Sequence, residues 1–209
     1  MKRYDEIEIK LKVLNRRDLK KRVKALGFTE SAPRVHERNV LYDFPDGFLT
    51  RRRCALRLRS AGGRHWVTFK GKPSGAQKYK IREEIETSIG DGEQLSRIFR
   101  ALGLLPVFTY EKHRTTYIEG PAAAGRKQPT LSFDETSAGD YIELEGPQGW
   151  IDHVASQLGF DEGEYITASY VSLLSGQDQE FRGRRETPGA LPPGVLASIG
   201  KSHSKAKKA

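Results

Sequence analysis

The stretch Tyr4–Val13, YDEIEIKLKV, constrains the fold of this chain more than any other. Glu6, Glu8, Lys10 and Lys12 fall on one side of an extended backbone, and Ile7, Ile9, Leu11 and Val13 on the other. A period of two with one apolar face is the signature of a half-buried strand. The polar face is the unusual part. It presents two carboxylates and then an ammonium at successive steps, where a solvent face carries scattered polar groups. Similar rows recur downstream.

Ala55–Ser60, ALRLRS, sets Arg57 and Arg59 opposite Leu56 and Leu58. Gly62-Gly63 reads as a hairpin turn, and His65–Lys70 as its return strand, with Trp66, Thr68 and Lys70 on one face. Tyr79–Thr87 sets Arg82, Glu84 and Glu86 against Ile81, Glu83 and Ile85, with Glu83 interrupting the alternation. Leu104–Tyr117 reads as a strand after Pro106, carrying Lys112 and Arg114. Thr130–Asp134 and Asp140–Glu145 form two strands around a turn, with Glu143 and Glu145 sharing a face with Tyr141. Residues 34–44 read as extended, and Phe48–Arg53 as the approach to a short strand.

Helical spacing marks three further segments. Asn15 caps the first, with Asp18 in an imperfect capping box, a Leu19, Val23 and Leu26 stripe, and Gly27 as its stop. Gly90–Gly103 reads as a helix with Asp91 as its candidate cap, and its stripe is Leu95, Ile98, Phe99 and Leu102. Gln148–Leu158 carries Ile151, Val154, Ala155 and Leu158. Ser169–Leu174 fits a helix or a strand, and Gly71–Ala76 and Pro121–Pro129 read as loops.

At 209 residues the chain suits one domain, and its formal net charge is +9. Arg182–Ala209 holds seven Lys/Arg and one Glu, so this end carries six of those nine charges. Residues 177–209, with Pro188, Pro192 and Pro193, read as a disordered basic tail after a domain spanning 1–176. Such a tail is solubilising and allows weak, salt-sensitive contact with nucleic acid or an acidic surface. No stretch is apolar and long enough to span a membrane, and no leader pattern is visible, so the cytoplasm is the default expectation. Cys54, the single cysteine, excludes an intramolecular disulfide and a thiolate cluster; it reads as a small, buried or half-buried residue. His36 and His113 read as structural or surface residues. Nothing here argues against an oligomer.

The charged faces form two sets. The acids are Glu6, Glu8, Glu84, Glu86, Asp134, Glu143 and Glu145; the bases are Lys10, Arg57, Arg59, Lys70, Arg82, Lys112 and Arg114. If the strands close, their apolar faces pack under outer helices and their polar faces meet across a wet channel. Carboxylates there suit a hard divalent cation, magnesium or manganese. Guanidinium and ammonium groups suit phosphate oxygens. The two together call for a metal-bound polyphosphate. A sandwich or open sheet with a salt-laced solvent face satisfies the same periodicity.

The motifs EIEIK (Glu6, Glu8, Lys10), LRLR (Arg57, Arg59), TFK (Lys70), REEIE (Arg82, Glu84, Glu86), EKHR (Lys112, Arg114), Asp134 and YIELE (Glu143, Glu145) resemble, in order, those of the triphosphate tunnel metalloenzymes, or CYTH proteins. ASYVSLL at Ala168–Leu174 resembles the closing segment of the class IV adenylate cyclase-like branch. The resemblance implies an α+β fold: a closed antiparallel eight-stranded β tunnel with flanking helices. It implies metal ligation by Glu6, Glu8, Asp134, Glu143 and Glu145, and phosphate binding by Lys10, Arg57, Arg59, Lys70, Arg82, Lys112 and Arg114. Catalysis then falls to Glu6, Glu8, Lys10 and Glu84, with Mg2+ or Mn2+. The expected substrates are ATP, thiamine triphosphate or tripolyphosphate. The expected reactions are cyclisation of ATP to cyclic AMP and pyrophosphate, or triphosphatase release of phosphate. A binding protein for polyphosphate, nucleotide or RNA is the non-catalytic alternative. Trp66, Tyr79 and Tyr141 are the candidates for stacking on adenine.

Overall fold

The alternating segments form strands, and the strands close. In the computed structural model, residues 5–74, 78–120 and 128–178 are described. Their strands are β1 (Asp5–Val13), β2 (Phe28–Asp43), β3 (Ala55–Ala61), β4 (Arg64–Lys70), β5 (Lys80–Ile89), β6 (Leu105–Glu119), β7 (Thr130–Thr136) and β8 (Gly139–Glu145). All pairings are antiparallel, in the order β1-β5-β4-β3-β2-β6-β7-β8 and back to β1. This closed barrel rules out the sandwich and the open sheet. The β3–β4 turn is made by Gly62 and Gly63, both at positive φ, as a tight twisted hairpin requires.

Among the described residues, five α-helices accompany the barrel: α1 (Arg16–Ala25), α2 (Phe48–Arg51), α3 (Gly92–Ala101), α4 (Gln148–Gln157) and α5 (Tyr170–Asp178). Asn15 caps α1 by accepting from the Asp18 N–H, and Asp91 caps α3 by accepting from Glu93 and Gln94. Leu19 and Val23 of α1, with Ile151, Val154 and Ala155 of α4, pack on the outer faces of β1, β7 and β8 through Ile9, Leu11, Leu131, Phe133, Ile142 and Leu144. A smaller cluster sets Phe99 of α3 on Val40, Tyr42 and Leu58. The apolar alternation of the strands is therefore spent on the outside of the barrel, which leaves their charged faces to the inside.

Several local expectations change. Phe48–Arg51 is a helical turn instead of a strand approach, because Asp43 accepts from the Leu49 and Thr50 N–H groups and winds the chain. β2 starts at Phe28, well before residue 34, by pairing with the far end of β6 across two register shifts that flank Ala32. Tyr170–Asp178 is a helix, which settles the ambiguous segment. On α3, Phe99 is buried, but Ile98 and Leu102 of the expected stripe are exposed. Lys12, grouped with the charged face of β1, is exposed. The Pro121–Pro129 loop lies outside the described residues up to position 127, and the tail does so from position 179; residues 177 and 178 close α5. No helix among the described residues is long and apolar enough to cross a membrane.

Candidate active site

Cross-strand register decides which charges meet. Glu6 stands opposite Arg82, Lys10 opposite Glu143, Lys70 opposite Glu84, and Arg114 opposite Asp134. The inward faces enclose a cavity of about 710 Å³. Every residue expected in the site lines it except Asp134.

On the β1–β8 wall, Lys10 is almost fully buried, and its Nζ lies 3.0 Å from Glu8 Oε1 and 3.0 Å from Glu143 Oε2. Burial alone would lower the Lys10 pKa, but Glu143 and Glu8 raise it above the usual lysine value. Lys80 reaches Glu8 Oε1 at 2.6 Å. Burial pulls its pKa down to about 8 against the attraction of Glu8. Glu143 also receives Arg114 Nη2 at 2.9 Å. Burial opposes the charge on Glu143, yet Arg114 and Lys10 carry its pKa well below the ordinary value.

Asp134 sits behind this wall with no exposure. Arg114 grips it with two donors, Nε at 2.6 Å and Nη2 at 2.5 Å. Lys112 Nζ adds a contact at 2.9 Å and the Tyr170 hydroxyl one at 2.5 Å. Asp134 thus fixes two cavity cations from outside the cavity. Tyr170 arrives because Ile166 pairs with Lys10 through two backbone hydrogen bonds of 2.9 Å, which draws the C-terminal segment onto β1 and points α5 inward.

Across the cavity, Arg59 Nη2 lies 3.0 Å from Glu86, and Arg57 Nη2 reaches Thr68 at 3.2 Å and Glu86 at 3.4 Å. The Nε atoms of both arginines are buried without a hydrogen-bond partner among the described residues, as are Glu37 Oε2 and both amide atoms of Asn39. Lys70 bonds Glu84 and approaches Glu6 at 3.7 Å, while Arg82 Nε bonds Glu84 at 3.2 Å. Glu6 and Glu84 share a hydrogen bond. Burial and that bond raise the Glu6 pKa far above the carboxylate range. Burial pushes Glu84 the same way, but the Glu6 donor and Lys70 override it, so Glu84 is the ionised partner.

Lys80, Glu37, Asn39, Tyr110 and Tyr170 were not among the expected site residues. Lys80 was legible, since it precedes Arg82 by two on the same face of β5. Glu37 and Asn39 were not, because their neighbours His36 and Arg38 are polar and exposed, which cancels any alternation.

Residues 5–170 match the family model described as the CYTH domain. The chain belongs to the CYTH family. This CYTH domain is 34% identical over 141 residues to a candidate adenylate cyclase of Methanocaldococcus jannaschii, covering 67% of this chain and 75% of that one. Its fold matches that of a candidate adenylate cyclase from Vibrio parahaemolyticus at a TM-score of 0.72, with 19% identity, over 83% of this chain and 99% of the other. It also matches a candidate adenylyl cyclase of Hippeastrum with a dominant triphosphatase activity, at a TM-score of 0.59 and 20% identity, over 82% of this chain and 96% of that one.

Members of this family typically use a divalent metal. The donor chemistry of the cavity fits one. Glu6, Glu8, Glu143 and Glu145 bring hard oxygen donors to one wall. Among the described residues no three His, Cys, Asp or Glu side chains stand together as a ready ligand set, and Glu8 and Glu143 are held by cations.

Proposed function

We propose that the protein is a divalent-metal-dependent enzyme that breaks a phosphoanhydride bond of a triphosphate. The observation that carries this reading is that one closed barrel brings carboxylates and cations together on a single cavity. Carboxylates line the β1–β8 wall, and Arg57, Arg59, Lys112 and Arg114 enter from β3 and β6. Glu6, Glu8, Glu143 and Glu145 would hold Mg2+ or Mn2+, and Asp134 would act on the same wall through Lys112 and Arg114. A divalent metal held there would supply positive charge to offset that of the phosphate oxygens. Arg57 and Arg59 line the cavity as charge-assisted donors for phosphate oxygens, joined by Lys70, Arg82, Lys112 and Arg114. These cations neutralise charge that spreads over the transferred phosphoryl group. Lys10, held as an ammonium by Glu143 and Glu8, serves as a cation and orients both carboxylates. Glu84 fixes Lys70 and Arg82 and accepts the hydrogen bond that protonated Glu6 donates.

With ATP the reaction would be cyclase-like. The ribose 3′-hydroxyl loses its proton to water as its oxygen bonds the α-phosphorus, the bond from that phosphorus to the bridging oxygen breaks, and pyrophosphate leaves. The name of the M. jannaschii relative supports this substrate. A specific observation favours hydrolysis as a second reading. Lys10 and Lys112 lie over the Tyr170 ring at 5.0 and 4.6 Å, and Arg59 and Arg64 over the Trp66 ring at 5.0 and 5.5 Å. These aromatic faces are already covered by cations, so an adenine would have to displace them, whereas a bare triphosphate would not. Product identification separates the two readings. The protein is incubated with ATP, thiamine triphosphate or tripolyphosphate and Mg2+ or Mn2+. Cyclic AMP with pyrophosphate supports the first, and orthophosphate the second. Absence of turnover on all three sinks the enzyme reading and leaves polyphosphate binding. Glu143→Gln should lower turnover at least about tenfold through loss of the metal and of the ion pairs that Glu143 makes with Lys10 and Arg114.

A further inference from the structure

Three consecutive arginines, Arg51, Arg52 and Arg53, precede β3, and they are used differently. Arg51 Nη2 pairs with Asp46 at 2.7 Å. The Arg52 guanidinium lies 3.5 Å over the Phe48 ring. Arg53 has no ion pair, side-chain hydrogen bond or ring contact among the described residues, and it lines the mouth of the cavity. Its backbone is also singular. At φ 59 it is the only non-glycine residue with positive φ among those described. A residue with a side chain rarely adopts that conformation, and it persists where the surroundings over-determine it.

The surroundings do so here. The Arg53 N–H donates to Thr50 O at 2.9 Å, and the Cys54 N–H to Leu49 O at 2.9 Å. The turn that supplies both carbonyls is clamped by Asp43. Its carboxylate accepts from the N–H groups of Phe44 (2.8 Å), Leu49 (2.8 Å) and Thr50 (2.9 Å) and from the Thr50 hydroxyl (2.7 Å). A buried acid thus holds a strained backbone that presents an unpaired cation to the opening.

The position of that cation follows from the strand. Arg57 and Arg59 face inward on β3, Ala55 holds the next position outward on the same face, and Lys70 of β4 stands opposite Ala55. Arg53, exposed and two residues before Ala55, lines the same cavity as Arg57, Arg59 and Lys70. We propose that Arg53 binds an anionic extension of the substrate, the fourth phosphate of a chain whose first three occupy the barrel. The site then takes linear polyphosphates longer than three units. This rests on the triphosphate reading above and adds a length preference to it.

Calorimetric titration with tripolyphosphate and with tetrapolyphosphate, both with Mg2+, tests this on the full chain. Unmodified protein should bind tetrapolyphosphate about tenfold more tightly, as one added charge-assisted contact implies. Arg53→Ala should remove that difference and leave tripolyphosphate affinity within about twofold. Arg53→Gly, which suits positive φ and keeps the turn relaxed, should behave as Arg53→Ala does, so a folding defect cannot produce the result. Arg53→Lys should retain part of the preference. Equal loss for both ligands in Arg53→Ala, or no preference in the unmodified protein, overturns the proposal while the triphosphate reading stands. Failure of the unmodified protein to bind either ligand overturns both.

Discussion

Asp43 accepts four hydrogen bonds with a side chain that is only 2% exposed as a residue, and none of its partners is a charged group. Burial pushes its pKa up, but the Thr50 hydroxyl and the N–H groups of Leu49, Thr50 and Phe44 bring it below the usual aspartate value. Asp43→Ala strands those donors and should cost about 3 kcal/mol in urea denaturation at neutral pH. The sign of the pH dependence follows from the depressed folded-state value. The contribution is present above about pH 4, the unfolded aspartate value, and is lost as the pH falls through the folded value. The stability gap between the unmodified protein and Asp43→Ala should therefore narrow below about pH 4, and a gap of constant size from pH 7 to pH 3 would contradict this. Residue roles of this kind were the least legible part of the sequence. The partners of Asp43 lie up to seven positions along the chain, with no periodic signal to mark them. Arg57, Arg59 and Glu143, by contrast, stood on clean alternations and were readable as inward charges.

At the scale of elements, α3 shows what hydrophobic spacing conveys. The stripe identified the helix and its apolar face, but not how much of that face the barrel covers. Phe99 is 8% exposed and packs on Tyr42 with ring centroids 5.0 Å apart, whereas Leu102 is 65% exposed. Phe99→Ala should lose about 3–5 kcal/mol in denaturant unfolding, and Leu102→Ser should stay within about 0.5 kcal/mol. Comparable losses from the two would mean that α3 packs by another face. The strands were legible where a helix covers them, because cover is what makes one face apolar. β2 was legible only in part for the same reason. Between Phe28 and Arg38 it runs mostly exposed, so its inward Glu37 is embedded in a sequence that is polar on both sides.

For the whole molecule, closure turns a set of amphipathic strands into a charged interior, and it also fixes when that interior can exist. β1 is the first strand of the chain, yet Lys10 is flanked across the sheet by Glu143 of β8 and on its other side by Ile166. Apart from the Lys10–Glu8 contact within β1, the cation–carboxylate wall at Lys10 forms from distant sequence. In refolding experiments, the return of tripolyphosphate binding should lag behind the recovery of secondary structure and follow the slowest phase, since contacts of such sequence separation close late. Simultaneous recovery would indicate a barrel that zips from β1. The same arrangement bears on synthesis of the chain. β1 leaves the ribosome ahead of the other seven strands; one of its hydrogen-bonding edges waits for β5 and the other, which closes the barrel, for β8. Its alternating charges, which later grip a ligand, are in that interval what discourages one nascent β1 from pairing with another.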